Sequence, residues 1–296
     1  MKICKLILIL SFISFSKVLA DDTNAAKDGV LNKVTESISN SIENVIGNNG
    51  DAEVQITTGE DYKPEYSIMK IVPLAAHPGV DAWFVQLQLN SHNIRGKSRT
   101  SINSGIGYRN LSENKKYLVG VNVFFDYDEE ENSRGSVGLE LRSSVFEAIA
   151  NYYETISDPT TVGSFTERSL TGYDLTLVGE VPYLPWANVV GNFYVWEAEK
   201  NAEDTEGSKI SLEMTVTPTI ILEGGLNDNN NMDSVSFFKA YFVYPPRDRV
   251  AATTNLIGDS AFSSGDMSGE LLSKIKRTNK QVIESEGSGV VMAKAN

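Results

Sequence analysis

The segment Tyr117–Asp128, YLVGVNVFFDYD, alternates with period two along its whole length. Tyr117, Val119, Val121, Val123, Phe125 and Tyr127 share one face. Leu118, Gly120, Asn122, Phe124 and Asp126 share the other. A strand sends successive side chains to opposite sides, so this stretch has one wholly apolar face and one mixed face. In a soluble sheet the apolar face meets a core. In a membrane barrel it meets lipid, with Tyr117, Phe125 and Tyr127 near the interfaces. The rest of the chain decides between those two surroundings.

The same period runs from Ala52 to Tyr244 and divides into twelve candidate strands: Ala52–Thr58, Tyr66–Leu74, Ala82–His92, Arg99–Asn110, Lys116–Tyr127, Arg134–Arg142, Phe146–Ile156, Thr171–Val181, Ala187–Ala198, Lys209–Thr217, Ile220–Leu226 and Val235–Tyr244. Many have the length of about ten residues that a tilted strand needs to cross a bilayer. Their second face carries Arg109, Asp126, Glu140, Arg142, Asp174, Glu180, Glu213 and Glu223. A sandwich with charged outer faces would show the same alternation. The connections discriminate better. From the fifth strand on they run long, short, long, short: DEEENS at Asp128–Ser133, then Ser143–Val145, Ser157–Leu170, Pro182–Trp186, Glu199–Ser208, Pro218–Thr219 and Asn227–Ser234. Short turns at one rim and long polar loops at the other are an outer-membrane barrel's habit. The expectation is an all-β, closed antiparallel transmembrane barrel of twelve strands, flanked by a short N-terminal helix and a C-terminal linker tail. On this map Val121→Arg is harmful and Asn122→Arg much less so.

The flanks read differently. Met1–Ala20 has Lys2 and Lys5 before the apolar run Leu6–Phe15, with Val18 and Ala20 at the small-residue positions of a cleavage site: a secretory signal. Its run of about ten apolar residues is too short to span, which takes roughly 20. Cys4 lies inside it, so the mature chain has no disulfide. In Asp21–Gly50, Val30, Val34, Ile38, Ile42 and Val45 recur at helical spacing and suggest an amphipathic helix. Pro245–Pro246 ends the alternation; beyond it the chain is polar, with a possible helix at Met267–Asn279 and a short extended piece at Gly287–Val291. The expected divisions are 1–20 signal, 21–50 periplasmic segment, 51–248 barrel and 249–296 linker or short passenger.

A net charge of −13 argues against nucleic acid as a partner. His77 and His92 are the only histidines and map to opposite rims, so no Ser/His machinery assembles. No Cys/His cluster suggests zinc, and Asp128–Glu131 and Asp228–Asp233 read as solvated loops. No catalytic group, metal or cofactor is expected.

Several segments together resemble the inverse autotransporter β-domain, the barrel of the intimin and invasin family. They are Asp51–Thr58, GxGYR at Gly105–Arg109, GVNVFFDYD at Gly120–Asp128, RGSVGLELR at Arg134–Arg142, ANYYETIS at Ala150–Ser157, GYDLTLVGEVPYLP at Gly172–Pro185 and Asn192–Trp196. The likeness covers roughly Ala52–Asp248, and KRTNKQVI around Arg277–Asn279 resembles the linker that follows the family barrel. It implies a periplasmic N-terminus and a tail that returns through the pore to display a passenger, with cell adhesion as one outcome. Asp21–Gly50 is shorter than a peptidoglycan-binding module, and the 46 residues Ala251–Asn296 are shorter than an immunoglobulin-like passenger.

Three readings stand at this point. One is a Gram-negative outer-membrane translocator that exports its own tail. Another is a stand-alone pore or plugged barrel, and the third a truncated adhesin. The expected partners are outer-membrane lipid, the secretory translocon and the barrel-assembly machinery, which would read Lys239, Phe242 and Tyr244 in the last strand. The wall is expected to be net acidic, so Lys274, Lys276, Arg277 and Lys280 of the tail should be drawn into the pore.

Overall fold

The computed structural model describes residues 50–60, 62–200, 203–247, 249–262, 264–287 and 290–294. The signal and the expected N-terminal helix lie outside the described residues. Twelve strands close into an antiparallel barrel. They are β1 (Ala52–Gly59), β2 (Tyr62–His77), β3 (Asp81–Ile94), β4 (Lys97–Leu111), β5 (Tyr117–Asp128), β6 (Ser133–Ser143), β7 (Phe146–Thr155), β10 (Gly172–Val181), β11 (Leu184–Trp196), β12 (Thr205–Thr217), β13 (Ile220–Asn229) and β14 (Met232–Tyr244). Each pairs with its neighbour in the chain, and β1 closes on β14 from Ala52↔Tyr244 to Gly59↔Phe237. Four short strands, β8 (Thr160–Val162), β9 (Phe165–Ser169), β15 (Ile283–Gly287) and β16 (Val290–Lys294), form a second sheet.

The period of two sets which solvent each side chain meets. Along β5 the exposure alternates without a break, and Val119, Val121, Val123 and Phe125 are among the exposed large apolar residues while Leu118 and Phe124 are buried. Aromatics cluster at both ends of the outward face. Trp83, Tyr117, Phe146 and Tyr183 mark the rim with the short turns, and Tyr127, Tyr152, Tyr173 and Phe193 the other. This is the arrangement of a lipid-facing barrel with interfacial girdles. Closure leaves no unpaired sheet edge for lipid to meet.

The lengths of the connections depart from expectation. Strands run further than the alternation suggested, so the links at 95–96 and 230–231 are tight turns, and only 156–171 and 197–204 remain long at that rim. Polar ladder residues such as Asn93 and Asn229 still pair across strands at this rim. Their side chains are half-buried and find polar partners, Asn93 donating to Lys63 O at 3.3 Å and Asn229 accepting from Asn231 N at 2.9 Å. The opposite rim carries 78–80, 112–116, 144–145, 182–183 and 218–219.

Val121 lies at mid-strand, paired across to Tyr108 and Leu139 on the outward face. Val121→Arg should cost about 2–4 kcal/mol at the bilayer midplane. The useful control is not Asn122. That side chain is buried, and a Cβ on Gly138 would lie 2.6 Å from its amide, so an arginine has no room there. Ser67 lines open space in the lumen instead. The yield of heat-modifiable folded barrel should fall for Val121→Arg and hold for Ser67→Arg; equal yields would refute the face assignment.

Candidate functional site: a threaded lumen

After β14 the chain follows the short-turn rim. Arg247 N donates to Pro218 O at 3.0 Å and Ala252 N to Thr215 O at 2.9 Å. Gly258 N and Tyr183 O, then Tyr183 N and Ala261 O, each meet at 2.9 Å, and Met267 N reaches Lys115 O at 2.9 Å. Asp266 caps a single 3-10 turn, Met267–Glu270, by accepting from Ser268 N. The neighbouring Ser268 lowers the Asp266 carboxyl. Burial pushes the Glu270 carboxyl up, but the charge and hydrogen bond of Arg249, 2.7 Å away, outweigh it and hold Glu270 well below the usual carboxylate range.

From Leu271 to Val282 the chain crosses the lumen, extended rather than helical. The expected helix at Met267–Asn279 is therefore confined to its first turn. The wall takes up its backbone groups. Arg109 donates to the carbonyls of Glu270, Leu271 and Ser273. Ile275 N donates to Gln86 Oε1 at 3.0 Å, Asn151 donates to Lys276 O at 3.2 Å, and Thr278 N donates to the Tyr153 hydroxyl at 2.7 Å. A buried backbone group must find such a partner. The apolar side chains spaced as for a helix dock separately. Met267 and Leu271 join Ala82, Leu111 and Leu118; Ile275 joins Met69, Ile71, Phe84 and Phe124; Val282 joins Tyr153, Leu170, Tyr194 and Trp196.

Each tail cation meets a wall carboxylate: Lys274 with Glu53 at 2.6 Å, Lys276 with Glu147 at 3.0 Å, Arg277 with Asp126 at 2.7 Å and Lys280 with Glu65 at 2.8 Å. Arg277 and Asp126 make a two-pronged contact, with the second pair at 2.9 Å, and both side chains are fully buried. Arg134 holds the same carboxylate at 2.8 Å. The Arg277 guanidinium lies 4.3 Å from the centre of the Phe124 ring, and Arg134 lies 4.4 Å from that of Tyr153. Such bidentate, stacked guanidinium geometry is not available to lysine.

The other wall residues singled out above have local roles. Arg109 pairs with Glu140 at 2.9 Å and Arg142 with Glu147 at 3.1 Å. Asp174 accepts from Tyr153 at 2.7 Å and from Thr278 at 2.8 Å. Glu223 holds Lys239 at 3.0 Å and accepts from Tyr241. Glu180 is buried, and Glu213 borders a cavity. Within β14, Lys239 faces inward, while Phe242 and Tyr244 lie on the alternate face. The wall is less acidic than expected, because Arg99, Arg134, Lys209 and Lys239 also belong to it. Among the described residues no group of three or more His, Cys, Asp or Glu is placed to hold a metal.

Glu53, Glu65, Glu147, Arg134 and Tyr153 were not singled out from the sequence. Their importance lies in register across the barrel. Gly105 and Gly107 do carry a local signal: a Cβ there would stand 2.4 Å and 2.5 Å from the rings of Phe124 and Phe84. Their absent side chains let those rings lie flat on the wall beside the tail.

Past Val282 the tail leaves the lumen at the far rim. Its β15 adds to β9, with Ile283 opposite Ser169 and Glu286 opposite Thr166, and β16 pairs with β15. Arg168 lies 3.6 Å from Glu284 and 3.5 Å from Glu286. Glu167 binds Arg99 at 2.7 Å and also Arg95.

A solved structure described under "Unveiling the Mechanism Behind the in-meso Crystallization of Membrane Proteins" superposes with a TM-score of 0.65 at 18% identity, covering 81% of this chain and 100% of its own. The KdgM porin gives 0.45 at 7% identity over 66% of this chain and 98% of its own. The COG4313 outer membrane channel from Pseudomonas putida F1 gives 0.48 at 8% identity over 67% and 96%. No curated protein matches the sequence. The family model "Inverse autotransporter, beta-domain" matches residues 11–279, which takes in all twelve barrel strands and the threaded tail as far as Asn279. The chain belongs to the inverse autotransporter β-domain family, and it is a barrel of the Gram-negative outer membrane.

Proposed function

We propose that the protein is an outer-membrane translocator and anchor that carries its own C-terminal segment from the periplasm to the cell surface, where it is displayed. One observation carries this: the tail runs from the short-turn rim through the lumen to the opposite rim, bound at each stage. The two long connections, 156–171 and 197–204, lie at the rim where the tail emerges, and long loops face outward in barrels of this kind, so the tail leaves on the outside. The chain reaches the periplasm through the secretory translocon, and the barrel-assembly machinery reads β14 through Lys239, Phe242 and Tyr244. Display of a segment is how an adhesin of this architecture would work.

A second reading is a plugged, stand-alone barrel. It is favoured by the four ion pairs that fix the tail to the wall. The two readings separate on intact cells. An epitope placed after Asn296 should be reached by antibody and removed by added protease without lysis. An epitope that stays protected until the outer membrane is permeabilised would overturn export and leave the plugged barrel.

A further inference from the structure

The tail does not fill the lumen. It lies against β1 to β7 and β10, and beside it a cavity of about 280 Å³ follows the wall formed by β10 to β14 and β1 to β3. The cavity extends from Arg247 and Arg249 near the short-turn rim to Glu65, Ser91 and Asn227 near the other. Between those ends it is lined by hydroxyl and amide groups of Thr57, Ser67, Asn90, Thr176, Asn192 and Ser211. A polar space of this size holds water.

Its charge is the opposite of what the wall carboxylates alone would suggest. Nine lining residues are Lys or Arg and four are Glu, namely Glu53, Glu65, Glu213 and Glu223. Asp126, Glu140, Glu147 and Glu270 stand behind the lining and pair with cations in it, but Arg134 and Arg109 share Asp126 and Glu140, and the balance remains positive. Three of the four lining glutamates are already engaged: Glu53 by Lys274, Glu65 by Lys280 and Glu223 by Lys239. Lys209 has no carboxylate in ion-pair range among the described residues; its ammonium lies 5.5 Å from the centre of the Tyr194 ring. His92 also borders the cavity. It is 3% exposed, and neither ring nitrogen has a hydrogen-bond partner. A buried donor without a partner is costly unless something in the space beside it accepts.

We propose that the threaded barrel keeps a narrow aqueous passage selective for small anions, with Lys209 and His92 as its uncommitted contacts. Positive charge in a narrow lumen with low-dielectric walls concentrates anions and repels cations. The tail itself supplies much of that charge, so the segment that narrows the pore also sets its preference. The inference rests on the tail lying in the lumen and does not require its export.

The test is single-channel recording of the full-length refolded barrel in planar bilayers under a potassium chloride gradient. The reversal potential should lie on the chloride side. Lys209→Glu should reduce the chloride-to-potassium permeability ratio by roughly two-fold or more, as expected for reversing one charge in a focused field. Lys209→Gln should do so by less, and heat-modifiability confirms that each variant is folded. A chain ending at Arg249 loses Lys274, Lys276, Arg277 and Lys280 but keeps Glu53, Glu65, Asp126 and Glu147. Its conductance should rise and its preference should move towards potassium. A full-length channel that does not conduct, one that prefers potassium, or a folded Lys209→Glu with unchanged selectivity would each overturn the proposal. None of these outcomes bears on the surface epitope, so export and anion passage can fail separately.

Discussion

Deleting Phe238–Tyr244 should abolish the folded barrel altogether, leaving a chain that periplasmic proteases remove. The segment supplies most of β14, which pairs with β13 on one side and closes on β1 on the other. Without it the residues from Ala52 to Thr58 and from Ile220 to Gly224 lose their partners along one edge. In lipid each exposed peptide group costs several kcal/mol, with no water to compensate. The loss also frees Glu223, which Lys239 and Tyr241 hold. The measurement is the heat-modifiable band in outer-membrane fractions, with a protease-deficient strain to show that the chain is made. A folded barrel surviving the deletion would mean that another strand closes the sheet.

The sheet was legible because lipid imposes a simple rule. Wherever one face had to meet hydrocarbon, as along Tyr117–Asp128, the alternation in the sequence is the alternation in exposure. All twelve strands could be placed this way, to within a few residues. Their ends could not, because above the bilayer the chain pays no penalty for polar side chains and the ladder simply continues, as at Asn227–Asn229. The inward face was legible as a set of charges but not as pairs. Arg109 and Glu140 occupy β4 and β6, separated by β5, and meet over Gly120, whose missing side chain leaves them room. Nothing local in either strand announces that.

The tail was the hardest part to read. Met267, Leu271 and Ile275 recur every four residues, and in water that spacing favours a helix. Inside the barrel the competing partners are better. A helix would satisfy its own backbone, whereas here Arg109, Gln86, Asn151 and Tyr153 offer preorganised donors and acceptors. Three of the segments that resembled the family line this path: Gly105–Arg109, Gly120–Asp128 and Arg134–Arg142 all place inward residues within reach of residues 270–279. Of the second sheet only the extended character near Gly287–Val291 was legible, where β15 ends and β16 begins; its pairing was not, for the same reason that the ion pairs were not. Its strands β9 and β15 meet only once the tail has crossed the pore.

Asp126→Ala should be the most damaging single substitution in the lumen. The carboxylate is fully buried between Arg134 and Arg277 and also accepts from Asn103 at 2.6 Å. Removing it leaves two buried guanidinium groups without their counter-charge. Breaking a buried pair from one side costs about 3–5 kcal/mol, because the remaining charge keeps its desolvation penalty. Arg277→Leu should cost less. It removes one buried cation, and Asp126 keeps Arg134, while the leucine can still pack on Phe124. The two effects should not add, since Asp126→Ala already deprives Arg277 of its partner. Urea unfolding of the refolded barrel in detergent reads the stability, and limited proteolysis between Ser273 and Gln281 reads release of the tail. Asp126→Ala should lower the midpoint and expose the tail; Arg277→Leu should expose the tail with a smaller midpoint change. A protected tail in both variants would mean that apolar docking of Leu271, Ile275 and Val282 holds it, and that the ion pairs contribute only specificity.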